Sequence, residues 1–208
     1  FANSLKLRLA MRISAVYEDA QKIAEAAVAH PYGVIESNDN NPTMQSNSNL
    51  SFTYNNPIHS ISSAEGYEED VMGATMDAYL NGFEDPRRAV FFALSSNGNY
   101  RGLRNGHKNG DIFKGDEGLS KPNIQQGTPY IWMTAAEVFF LRAEGALKQW
   151  DMKGTPEALY KSGIRASFEQ HGVKNVENYL VSTKVPARYP GFKASPSAPA
   201  PSDITVVW

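Results

Sequence analysis

The chain has 208 residues, enough for one fully cored domain or for a large piece of a bigger protein. Its 20 basic and 22 acidic residues are mixed along the chain and give a formal net charge of -2, so nothing attracts a phosphate backbone and nucleic acid is excluded as a partner. The hydrophobic fraction of 41% is a globular value, no apolar run approaches the roughly 20 residues of a spanning helix, and the lack of cysteine rules out disulfides and thiolate metal sites.

The chain opens on "FANSLKLRLAMRIS", inside a helical pattern and without a methionine. We therefore expect a single helical domain over 1–208 that is a piece of a longer chain lacking both ends. Leu5, Leu9, Ile13, Val16, Ala20, Ile23, Ala27 and Val28 recur at three- and four-residue steps and predict a helix up to His30-Pro31. Tyr17-Glu18-Asp19 permits a break with Asp19 as a new cap, giving two helices in tandem. From Gly33 to Ser63 Asn and Ser dominate, and the segment reads as one long loop, either a surface excursion or a ligand-facing element. Asn38, Asp39 and Tyr54 are its candidate ligand contacts.

Ser62 and Glu65 have the spacing of a capping box before a helix through Tyr67, Val71, Thr75, Tyr79 and Leu80, closed by Asn81-Gly82. Ala89 to Leu94 is a short apolar run that reads as a strand or buried extended piece. Residues 95–127 are a glycine-rich loop. Thr134 with Glu137 is a second capping-box spacing, and the helix after it is apolar at Val138, Phe139, Phe140, Leu141, Ala143, Ala146 and Leu147, a face wide enough to need cover on two sides. Thr155 caps the next helix, Pro156 suits its first position, and Gly172 stops it. Ala143, Gly145, Gly163 and Ala166 permit close approach of the two helices, the unit from which helical-repeat superhelices are stacked. A short helix over Val176 to Leu180 precedes an extended tail with five of the twelve prolines.

No catalytic constellation is present in the sequence. The four histidines are never four apart, and neither a nucleophile elbow, a phosphate-binding loop nor a dinucleotide fingerprint occurs. Asp111, Asp116 and Glu117 lie among glycines but without the spacing of a calcium loop, and no metal or other cofactor is assigned. What remains is a binding surface of aromatic and polar groups in irregular segments: Tyr54 with His59, Tyr100 with Arg101, and Tyr130 with Trp132. Trp132, beside a buried helix start, is expected in the core.

The segments "ANSLKLRLAMRIS", "AEAAVAHPYGVIESNDN", "FEDPR", "YIWMTAAEVFFLRAEGALKQW" and "GTPEALYKSGIRASFEQHGV" resemble, in this order, those of SusD/RagB-like outer-membrane lipoproteins of Bacteroidota, particularly the second SusD-like subfamily. The resemblance implies a mainly α fold of tetratricopeptide-like hairpins with long irregular loops and minor β, held at the cell surface by a lipid on the full-length parent. It also implies a non-enzymatic role: capture of an oligosaccharide, or in some members a peptide, and hand-over to a SusC-like TonB-dependent transporter. The alternative is a helical-repeat scaffold that binds only protein partners. Ligand contacts vary within the family, so Asn38, Asp39, Tyr54, Tyr100, Arg101 and Tyr130 rest on residue type alone.

Overall fold

The computed structural model describes residues 1–46, 55–62, 70–106, 118–191 and 196–208. The chain divides into two compact units: Phe1–Met44 with Ile131–Val176, and Gln45–Tyr130 with Glu177–Trp208. The fold is mostly helical, as expected of tetratricopeptide-like hairpins, and the pairing of Thr43–Met44 (β1) with Tyr130–Ile131 (β2) is the one sheet among the described residues.

The first unit holds two helical hairpins, α1 (Ala2–Arg12) with α2 (Ala20–Val28) and α6 (Ala135–Leu147) with α7 (Pro156–Gln170). The predicted first helix is thus broken, and Asp19 stands at the N-cap of α2 without a side-chain capping bond. The expected stripe is corrected within α1 itself. On α1 the buried positions are Ser4, Leu7, Ala10 and Met11, whereas Leu9 and Val16 are 57% and 86% exposed. The residues 33–35 select that face: Asn3 donates to the Gly33 carbonyl at 2.8 Å, and buried Ser4 accepts from the Ile35 N–H at 2.8 Å.

Helix α6 begins as its sequence indicates, with Thr134 Oγ1 accepting from the Glu137 N–H at 3.1 Å. The Glu137 carboxylate does not close the box on Thr134. It takes Arg8 of α1 in a fork of two 2.6 Å bonds, a bidentate pair that ties the hairpins together. Thr155 caps α7 by accepting from the Ala158 N–H, with Pro156 in the first turn. Of the two glycines expected to permit close approach of the helices, Gly163 does so, because a Cβ there would stand 2.8 Å from the Phe140 ring, whereas Gly145 makes room for the Met152 side chain of the turn.

Arg142 is buried in this unit and donates to the Met152 carbonyl at 3.0 Å, to the Lys153 carbonyl at 3.2 Å and to Glu36. It thereby holds the turn between α6 and α7 closed. Arg142→Met is expected to cost about 2 kcal/mol, because two carbonyls lose charged donors while the half-exposed Glu36 regains water. Urea unfolding followed by circular dichroism measures it.

The second unit contains α3 (Pro57–Ser62), α4 (Ala74–Gly82) and α5 (Arg88–Phe91), and most of α8 (Val176–Leu180), which matches the expected short helix. Helix α3 corrects the reading of 33–63 as one loop. Asn56 starts it, its Oδ1 accepting from the Ile58 N–H at 2.9 Å, with Pro57 in the first position. Helix α4 starts later than predicted, so that Val71 lies outside it; Tyr67 and Glu65 lie outside the described residues. The apolar run from Ala89 is also corrected: it is one helical turn, after which Phe92 bridges Pro122 and Leu94 is 56% exposed.

Candidate functional site

Three backbone segments, 72–73, 101–103 and 119–120, build a platform beside α4. The Met72 N–H donates to the Ser120 carbonyl at 2.7 Å, and the Leu103 N–H donates to Met72 and the Ser120 N–H to Arg101, at 2.8 and 2.9 Å. Leu103 and Leu119 are buried behind them. This fixes 99–103 beside α4, and Gly102 is required there: a Cβ at that position would lie 2.7 Å from the Gly73 carbonyl oxygen.

Asp77 and Asn81 are one turn apart, four residues along α4, and so share a face. Asp77 Oδ2 accepts from the Gly102 N–H at 2.6 Å, and Oδ1 accepts from the Asn81 amide at 3.0 Å. Asn81 also donates to the Tyr100 carbonyl at 2.9 Å and accepts from Arg88 at 3.2 Å. Burial pushes the Asp77 carboxyl up from its ordinary value, against the opposing effects of the Gly102 N–H, the Asn81 amide and the Arg101 charge. The group is a structural acceptor that orders the segment carrying Tyr100 and Arg101.

Those side chains line a cleft of about 470 Å³ with Asp77, Asn81, Arg88 and Asn99. The Arg88 guanidinium stands 5.2 Å from the Tyr100 ring centroid, a cation–π contact that fixes the ring. Arg101 donates to the Gly191 carbonyl. The Ser95–Asn99 turn, with Gly98 at φ 72, forms another wall. A second cleft of the same unit, about 430 Å³, is lined by Arg104, Asn105 and Tyr189, the guanidinium 6.0 Å from the ring.

Of the residues singled out from the sequence, Tyr100 and Arg101 are thus brought together. Tyr130 is half-buried in β2 and does not line either cleft. Asn38 and Asp39 belong to the first unit, where the Asn38 amide donates to the Ala166 carbonyl and Glu169 of α7 at 2.9 and 3.1 Å. Tyr54 lies outside the described residues, as do Asp111, Asp116 and Glu117. Trp132 is 57% exposed rather than in the core, since the chain arrives at α6 along the surface, with the Trp132 N–H bonded to the Pro42 carbonyl. The sequence reading missed Asp77, Asn81 and Arg88. The four-residue spacing of the first two was the available signal. Among the described residues no group of three or more acidic or histidine side chains is placed to hold a metal, and no helix is long and apolar enough to cross a membrane.

The fold has close relatives among solved structures. A chitin-binding SusD homolog from Flavobacterium johnsoniae superposes with a TM-score of 0.89 at 37% identity, covering 100% of this chain and 43% of that one. A SusD homolog from Bacteroides uniformis gives 0.87 at 38%, covering 100% and 44%, and one from Bacteroides thetaiotaomicron gives 0.86 at 37%, covering 100% and 43%. The chain therefore spans less than half the length of these structures. Among curated proteins no match is found. A family model described as SusD-like, SusD and RagB outer membrane lipoprotein, matches residues 1–208. Matched by that model along its whole length, and sharing its helical hairpins with several SusD homologs, the chain belongs to the SusD-like family.

Proposed function

We propose that this chain is one part of a longer, lipid-anchored protein at the outer face of the outer membrane, where it binds an oligosaccharide and passes it to a SusC-like TonB-dependent transporter without breaking a bond. The observation that carries this reading is the cleft at Tyr100: an aromatic ring fixed by Arg88, surrounded by amide and guanidinium donors, is suited to a polyhydroxylated ring. The chitin-binding relative supports the ligand class. Asn38, Asp39 and Tyr130 are carried as further candidate contacts, and a peptide is the other candidate ligand.

Calorimetric titration of the protein carrying this chain against a panel of oligosaccharides and peptides tests the reading, with reducing-end release measured in parallel. Saccharide binding without turnover is expected. Tyr100→Ala should weaken it about tenfold, the equivalent of roughly 1.4 kcal/mol of contact. Silence across the panel, or saccharide binding indifferent to Tyr100→Ala, would remove the cleft from consideration.

The exposed Leu9, Val16 and Tyr17 in and after α1 favour a second reading, a scaffold whose ligands are proteins only. Capture of the transporter by a protein that binds no saccharide or peptide would select it.

A further inference from the structure

The cleft at Tyr100 carries an unbalanced charge. Among the described residues its charged lining groups are Asp77, Arg88 and Arg101. Among the described residues, two acidic groups nearby are already paired. Buried Asp85 is bonded to Arg87, and exposed Glu84, which also feels Arg88, is paired with Lys184. Two guanidiniums therefore face one carboxylate.

That carboxylate is a poor counter-ion for anything entering the cleft. Both oxygens of Asp77 are engaged, one by the Gly102 N–H and one by Asn81, and the residue is 6% exposed. The guanidiniums are differently placed. Arg88 gives one bond to Asn81, and Arg101 gives one to the Gly191 carbonyl. A guanidinium has five N–H donors in a planar fork that matches a carboxylate bidentately, so each retains donors for a ligand. The fixed Tyr100 ring adds an apolar platform beside them.

We propose that the cleft takes an acidic saccharide unit, a uronate-type ring that packs on Tyr100 while Arg101 and Arg88 receive its carboxylate. The proposal rests on the reading of this cleft as a saccharide site and adds the charge of the ligand to it. A neutral chain such as chitin would occupy the platform and leave the excess guanidinium charge of the cleft unmatched.

The test compares trigalacturonate with its methyl ester, which keeps ring and length and removes the charge, and with a chito-oligosaccharide as neutral reference, all by calorimetry. The free acid is expected to bind at least tenfold tighter than the ester, with the preference shrinking as salt is added. Arg101→Gln should remove most of that preference and Arg101→Lys should retain part of it, while Tyr100→Ala weakens acid and ester alike. Circular dichroism of each variant confirms that it is folded. Equal affinity for acid and ester, or a preference that survives Arg101→Gln, overturns the acidic unit. If either neutral probe then binds and depends on Tyr100, the saccharide cleft stands alone. If none of the three probes binds, both the acidic unit and the cleft fall.

Discussion

Asp85→Ala is expected to destabilise the protein by about 3 kcal/mol, because it removes the buried carboxylate of an ion pair together with the acceptor of the hydrogen bonds from Arg87 and Tyr179. Asp85 is 1% exposed and lies in the "FEDPR" segment, between α4 and α5. It accepts from the Arg87 backbone N–H at 2.9 Å, from the Arg87 guanidinium at 3.0 Å and from the Tyr179 hydroxyl at 2.8 Å. The Arg87 guanidinium also stands 5.4 Å from the Tyr179 ring centroid. Alanine would take the charged acceptor from a half-buried guanidinium and a half-buried phenol together. Asp85→Asn keeps an acceptor but loses the charge, and is expected to cost less.

The pH dependence of this effect has a definite sign. Burial opposes ionisation of Asp85, but the hydrogen bonds and charge of Arg87, helped by Tyr179, prevail and hold its carboxyl below the ordinary value of 3.8. Burial and the Asp85 charge push the Tyr179 phenol up, so that it stays a donor. A carboxylate whose folded pKa is depressed contributes stability that is present above its unfolded value and is lost as pH falls through the folded one. The gap between wild type and Asp85→Ala in urea midpoints should accordingly be full at neutral pH and narrow below about 3.8. A gap that is unchanged down to the acid limit would mean that Asp85 acts by packing rather than by charge.

Gly82→Ala is expected to cost about 3 kcal/mol, against the sign that helix propensity alone gives. In an isolated helix alanine exceeds glycine by about 1 kcal/mol, and Gly82 closes α4 with no need for a left-handed backbone. The cause is the crossing of another segment. A Cβ on Gly82 would stand 2.1 Å from the Ala187 backbone nitrogen and 2.5 Å from the Val185 carbonyl oxygen, both main-chain atoms that no rotamer change can move away. Relief requires displacing 185–187 from α4 and stretching the 2.8 Å bond from the Ala187 N–H to the Ala78 carbonyl. Gly73→Ala is the control. Nothing stands within 4 Å of its added Cβ and its φ is -73°, so a change within about 0.5 kcal/mol is expected. Urea unfolding of the two variants measures the contrast, and equal midpoints would refute the crossing as the reason for the glycine.

Local signals in the chain were sufficient wherever structure depended on neighbours in sequence. Thr134 and Thr155 cap α6 and α7 as their spacing indicates, because an N-cap is settled by a side chain and an N–H two or three residues away. Gly172 has the positive φ of a helix stop, and α8 occupies its expected range, Val176–Leu180. The mainly α fold of hairpins was legible for the same reason. Family membership followed from five separated segments in a preserved order.

Tertiary structure decided everything that depended on which partner arrives. The apolar residues of α1 fit two overlapping stripes, and only the return of 33–35 onto Ser4 buries Leu7 and Met11 and leaves Leu9 outside. Trp132 is apolar enough for a core but stands on a surface path. Tyr100 and Arg101 were visible as residue types, yet their cleft exists because Asp77 and Asn81 of α4 hold Gly102 and the Tyr100 carbonyl from about 20 residues upstream. Periodicity and capping are short-range, fixed by backbone geometry within a turn or two. Choice of face, pairing of charges and the walls of a cleft are long-range, and no single stretch of sequence contains both sides of such a contact.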